Sequence, residues 1–235
     1  MGGKRSRVAV IQFPGSNCDL DMYNILRNKF KVETTLVWHA DPLPKNLDGL
    51  VLPGGFTYAD RLRAGAIAAH SQVMNDVRRL ADHGLPILGV CNGFQILTEA
   101  QILPGYLLKN TSGTFMCMRS EIVVKNNSTP FTTELRLKES IPISIANGEG
   151  RFYAPPELLK SMKKNNQIVF TYNGVENGST EHIAGVCNKE GNVVGMMPHP
   201  ERAAEEILNP GKNKPAEMVF KSFLKAMGHL EHAAD

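Results

Sequence analysis

Cys91 stands between two glycines in Gly89-Val90-Cys91-Asn92-Gly93, after the apolar run Pro86-Ile87-Leu88 and before a helix-like segment spanning residues 94–100. A thiol at the turn from a strand into a helix is the cysteine form of a nucleophile elbow. The glycines clear room for the turn and for substrate, and the helix N-terminus favours the thiolate. On this stretch alone, a buried structural cysteine is the competing reading. A cysteine nucleophile needs a base, and the base needs an acceptor that orients it. Met197-Pro198-His199-Pro200-Glu201-Arg202 supplies both. The two prolines restrict the backbone around His199, so Glu201 can accept the second ring proton and stabilise the imidazolium. By itself a His-Pro-Glu turn reads as a surface turn; beside the elbow it reads as a base with its orienter. A third segment, Leu52-Pro53-Gly54-Gly55-Phe56, places paired glycines after a strand. The Gly55 N–H, with that of Asn92 after the nucleophile, would meet a developing oxyanion. Gly-Gly alone is also an ordinary β-turn.

These segments need a frame that brings their ends together. The N-terminal half alternates strand and helix signals, the pattern of a parallel sheet covered by helices. Strands are expected at residues 7–12, 33–38, 50–52 and 86–90, and helices at 19–28, 64–82 and 94–100. Such sheets bind ligands at the carboxyl ends of their strands, where Pro14-Gly15, Gly54-Gly55 and Cys91 would meet. The second half reads as more antiparallel, with strands at 115–124 and 141–146, a helix at 155–164, a hairpin of 183–187 with 193–197, and a closing amphipathic helix at 215–227. With no repeat, low-complexity tract or long linker, a single domain is expected across residues 1–235, its core at about 7–228.

Composition limits the alternatives. Of 235 residues, 42% are hydrophobic and 21% charged, which is ordinary for a soluble globular protein. The net charge of +3 is too small and too evenly spread to argue for nucleic acid. The four cysteines (Cys18, Cys91, Cys117, Cys187) form no CxxC pair, so neither a metal site nor a disulfide framework is expected, and a reducing cytoplasm fits best. No apolar run reaches the length of a membrane span. Met1-Gly2 with Ser6 matches an N-myristoylation pattern, but a strand starting at Arg7 leaves no free arm for it.

Together the three segments resemble the class I glutamine amidotransferases. Residues 89–95 (GVCNGFQ) match that family's G-x-C-x-G-x-Q elbow and residues 198–201 its P-H-P-E motif. More narrowly, residues 13–19, 52–65, 147–152, 177–179 and 183–202 resemble the PurQ-type glutaminase subunits of phosphoribosylformylglycinamidine synthase. Two departures lie beside the Gly-Gly turn: Ala59 where glycine is usual, and Arg61 where an aromatic is expected. The resemblance implies a flavodoxin-like α/β fold, a central mostly parallel sheet flanked by helices with an added antiparallel section. It also implies a triad of Cys91, His199 and Glu201, and an oxyanion hole of Gly55 and Asn92. Gly54, Gln95, Thr114 and Phe115 would contact glutamine. The chain has no G-x-x-x-x-G-K-[ST] loop. By resemblance, then, ATP and Mg belong to a PurL-type synthetase partner, with a small PurS-type third subunit, and no cofactor or metal to this chain. The loop 57–63 and residues 147–152 are the candidate docking surface. Rival readings are a DJ-1/PfpI-like cysteine hydrolase, which lacks the Pro-His-Pro-Glu motif, a catalytically silent regulatory module, and an inert Cys91.

Overall fold

The computed structural model describes residues 6–174, 177–205, 207–208 and 215–229; the Met1-Gly2 acylation pattern and residues 230–235 lie outside them. In chain order the strands are β1 (Arg7–Gln12), β2 (Glu33–Trp38), β3 (Gly49–Leu52), β4 (Ile87–Val90), β5 (Tyr106–Leu108), β6 (Met116–Val124), β7 (Ser140–Asn147), β8 (Arg151–Tyr153), β9 (Ile168–Asn173), β10 (Ile183–Cys187) and β11 (Val193–Met196). The α-helices are α1 (Asp19–Asn24), α2 (Val73–Asp82), α3 (Asn92–Glu99), α4 (Pro156–Lys164) and α5 (Pro215–Ala226).

Nine strands form one sheet in the order β2-β1-β3-β4-β11-β10-β9-β6-β7. The first five run parallel, and the remaining pairs are antiparallel. Every residue of β3, β4 and β11 is buried, as expected of strands covered on both faces by helices. The start of the order, 2-1-3-4, is that of the flavodoxin-like doubly wound sheet, which binds ligands where the winding reverses at the carboxyl ends. The antiparallel half curls back toward that same end, because Ser144 on β7 forms an isolated bridge with His199 just past β11.

Helix α3 is the buried pivot of the site. Gly89 and Gly93 let it lie against the sheet: a Cβ on Gly93 would stand 1.9 Å from the Leu52 carbonyl oxygen, and one on Gly89 2.5 Å from Leu97 Cδ1. Phe94 stacks on Phe152, ring centroids 6.1 Å apart, which ties the elbow helix to β8. On the other side α5 buries Phe220 and Phe223 against the sheet; Phe223 lies over Gly49 and 4.9 Å from the Phe131 ring.

Three expectations need correction. The helix expected at 64–82 breaks into a 3-10 turn at Ala68–His70 and α2, because Ser71 is extended (φ −65°, ψ 149°) and Gly65 presses its backbone onto Ile96. The helix expected at 19–28 ends at Asn24 and continues as a π turn, Ile25–Lys29, closed by the Phe30 N–H to Ile25 O bond. Strands β5, β8 and β9 were not anticipated; the first two are only three residues long and pair solely with each other.

Candidate active site

Four strand ends deliver the site. Past β1, Ser16 bridges to Gly55, the second glycine after β3. Past β4 comes Cys91, and past β11 comes His199. The sequence gathered Pro14-Gly15, Gly54-Gly55 and Cys91 at the strand ends and put His199 at a sheet edge, and the fold brings all of these segments to one end of the sheet.

Cys91 adopts φ 50° and ψ −106°, a conformation that L-residues avoid and that costs on the order of 1–3 kcal/mol. Its surroundings enforce it: the Cys91 N–H extends the β4–β11 ladder to Met196 O at 2.8 Å, while its carbonyl accepts the Gln95 N–H at 3.1 Å. The thiol is buried at 6% exposure, and Sγ donates to Ala146 O on β7 at 3.5 Å.

His199 and Glu201 are each 1% exposed. His199 Nδ1 and Glu201 Oε1 share a hydrogen bond of 2.6 Å, and the His199 backbone N–H donates to Ser144 O at 2.9 Å. Burial works against the imidazolium, but the Glu201 carboxylate and then the sulfurs of Cys91 and Cys18 outweigh it and hold the pKa well above the usual imidazole range. The ring is therefore a ready counterion for a Cys91 thiolate. Nε2, the nitrogen left for proton transfer, has no partner with hydrogen-bond geometry, although both sulfurs are close enough to favour its charge.

The two proposed oxyanion donors are open. The Ser16–Gly55 bridge uses the N–H groups of Phe56 and Asn17, so the Gly55 N–H stands outside it. Asn92 opens α3, where the first N–H groups have no helical acceptor. Gly55 and Cys91 line one cleft of about 240 Å³, together with Gln95, Thr114, Phe115 and Asn147. Gln95 is committed within the protein: Oε1 accepts from Asn92 Nδ2 at 2.8 Å and Nε2 donates to Glu149 O at 2.8 Å. Thr114 and Phe115 stand exposed at the rim, where Phe115 meets Phe56 at 6.0 Å. Gly54 lies instead behind the imidazole, where a Cβ would come 2.8 Å from His199 Cε1 and 3.1 Å from Cys18 Sγ.

Two residues of the candidate docking segments, and one further cysteine, also face this site. Asp60 lines the cleft with Glu149; burial and then the Glu149 charge push its pKa up to about 6. Cys18 is 2% exposed and accepts a hydrogen bond from Arg202 Nη2 at 3.0 Å. The signal for Cys18 was its position at the start of the helix that follows β1, as Cys91 stands at the start of the helix that follows β4. Donor atoms of Cys18, His199 and Glu201 lie within 4.8 Å of one another, a sulfur, nitrogen and oxygen set suited to zinc. Within this cluster His199 Nδ1 and Glu201 Oε1 are bonded to each other at 2.6 Å, while His199 Nε2 and Glu201 Oε2 have no hydrogen-bond partner among the described residues.

The chain matches the CobB/CobQ-like glutamine amidotransferase domain over residues 5–227. Among solved structures, PurLQS from Thermotoga maritima is 40% identical, with 94% of this chain and 99% of that chain covered at a TM-score of 0.86. A putative GMP synthase component from Thermoplasma acidophilum and a glutamine amidotransferase from Thermotoga maritima are each 17% identical, with 97% of this chain and 96% of theirs covered. Their TM-scores of 0.64 and 0.56 bear on the fold alone.

Proposed function

The chain belongs to the CobB/CobQ-like glutamine amidotransferase domain family, and on that premise we propose that it is the glutaminase subunit of a phosphoribosylformylglycinamidine synthase. The observation that supports the chemistry is the strained, buried Cys91 at the start of α3 beside a buried His199–Glu201 pair. Cys91 thiolate attacks the side-chain carbonyl of glutamine, and the N–H groups of Gly55 and Asn92 receive the oxyanion. The tetrahedral intermediate expels ammonia, protonated by His199, and leaves a glutamyl thioester on Cys91. His199 then takes a proton from water, which attacks the thioester and frees glutamate and the thiol. Glu201 holds the ring and balances its charge. Each oxyanion donor accounts for about 3 kcal/mol of barrier lowering.

Ammonia is useful only beside a consumer. The relative from Thermotoga maritima is part of PurLQS. We assign this chain a PurL-type synthetase, carrying ATP and Mg, that converts formylglycinamide ribonucleotide to its amidine, and a PurS-type small subunit. The exposed rim around the cleft, loop 57–63 and residues 147–152, is the docking surface in this reading. Cys18, Cys91, Cys117 and Cys187 are all free thiols, which suits the reducing cytoplasm. A DJ-1/PfpI-like hydrolase is not favoured, given the family match over residues 5–227.

The test is glutamate release from glutamine, and formation of the amidine product, by the wild type alone and with a cognate synthetase. Glutamate release that rises with the synthetase and accompanies product supports the assignment; no hydrolysis in the complex points to a silent module.

No helix among the described residues is long and apolar enough to cross a membrane.

A further inference from the structure

A second sulfur stands beside the same imidazole. Cys18 caps α1, and its backbone is tied at both ends, N–H to Gly54 O at 3.1 Å and carbonyl to the Met22 N–H at 3.0 Å. Its Sγ accepts from Arg202 Nη2 at 3.0 Å; because a guanidinium only donates, the thiol proton is left to point at Asn17 Oδ1, 3.3 Å away. The absence of a Cβ at Gly54 is what lets the Cys18 sulfur and the His199 ring approach one another, since that Cβ would crowd both. Arg202 follows Glu201 directly, so one short turn, Pro200–Arg202, carries the histidine's acceptor and the arginine that fixes the second sulfur.

We propose that Cys18 is a positioning residue for the second half of the reaction, holding the His199 imidazole in place while Cys91 is acylated. The inference rests on the glutaminase reading above. When Cys91 has given up its proton for attack, the imidazolium has that thiolate as its partner. Once Cys91 carries the glutamyl group, its sulfur is a neutral thioester and that attraction is gone. The ring is then gripped only through Nδ1 by Glu201, and its Nε2 edge has no hydrogen-bonded partner. The Cys18 sulfur is not consumed by the chemistry, and Arg202 keeps it polarised and fixed. It stays packed beside the ring as a fixed neighbour that limits its movement when water must be activated, and small displacements of a catalytic group are costly.

The decisive experiment is acid quenching of the complex with its synthetase during steady-state turnover of labelled glutamine, measuring the fraction of this chain present as thioester. Cys18→Ala is expected to raise that fraction several-fold and to lower kcat and KM together by about tenfold, as slowed deacylation requires. Cys18→Ser retains a polar acceptor for Arg202 and is expected to restore the wild-type thioester fraction. Arg202→Gln, which releases the sulfur, is expected to accumulate thioester as Cys18→Ala does, and it gives the same reading should Cys18→Ala not fold. A loss of kcat without thioester accumulation in Cys18→Ala or Arg202→Gln overturns the proposal, as does wild-type behaviour of both. A wild-type complex that hydrolyses no glutamine would instead remove the glutaminase reading beneath it.

Discussion

The reaction centre and the rim of its cleft are built on opposite principles. Cys91 and His199 lie just past buried strands and are tied by backbone hydrogen bonds, and Glu201 is held, buried, against the His199 ring. The Cys91 N–H is paired into the β4–β11 ladder, and His199 is pinned to β7 through Ser144 O. The rim loop is tied at its start, through Thr57 N–H to Asn92 Oδ1 and Tyr58 N–H to Pro14 O. Tyr58, Ala59 and Asp60 are three consecutive residues in the left-handed region, φ 53°, 55° and 51°, and Leu62 beyond them is 91% exposed at φ 70°. Strain at Cys91 is held by the sheet, where it would aim the proposed nucleophile. Strain in the rim is held from that start, while beyond the Ala59 N–H to Phe56 O turn bond the loop reaches the surface at Leu62, which suits a segment whose outer part rearranges when a partner covers it.

The contrast can be broken from either side. At the centre, Cys91→Ala is expected to lower glutaminase kcat in the synthetase complex by at least about 10⁴-fold with glutamine binding retained, because the acyl step has no substitute. Glu201→Gln should cost about 10³-fold, since the ring loses the charge that holds its proton and tautomer. Steady-state glutamate release reads both, and a near-normal rate in either variant would contradict the rigid-centre picture. Gly93→Ala tests the frame itself: a methyl 1.9 Å from Leu52 O forces α3 off the sheet, so thermal denaturation should show a loss of several degrees or no folded protein.

Changes at the rim should be smaller and of opposite sign. The folded-state pKa of Asp60, about 6, lies above its ordinary 3.8, so the folded chain holds that proton more tightly than the unfolded one. The ionised carboxylate therefore costs stability above pH 6, and that cost disappears below the ordinary value. Asp60→Asn is expected to raise Tm well above pH 6 and to lose this advantage as pH falls below about 4. An equal gain at all pH values would mean that charge is not the cause. Ala59→Gly, at φ 55°, should stabilise by roughly 1 kcal/mol or less by relieving the left-handed strain, readable from denaturant midpoints.

Much of the centre was legible because its chemistry imposes local spacing. Cys91 between Gly89 and Gly93, and His199 two residues before Glu201, can be read without any tertiary knowledge, and β1 and β2 were bounded by their apolar runs as the fold has them. What escaped notice depends on long-range packing. The break near Ser71 was hidden because Ile67 and Met74 keep a helical spacing across it, while the cause, Gly65 against Ile96, lies in another element. β9 is rich in β-branched and aromatic residues from Ile168 to Asn173, a usable strand signal obscured by the Asn165-Asn166-Gln167 turn before it. The Cys18–Arg202 contact spans 184 residues, and no local pattern announces it.

The account depends on one sulfur becoming acylated by glutamine. The most direct measurement is peptide mass spectrometry of the synthetase complex after turnover with an alkylating glutamine analogue. Stoichiometric modification of Cys91, blocked by excess glutamine and absent in His199→Ala, is the predicted result. Modification of Cys18, Cys117 or Cys187 in preference to Cys91 would contradict it.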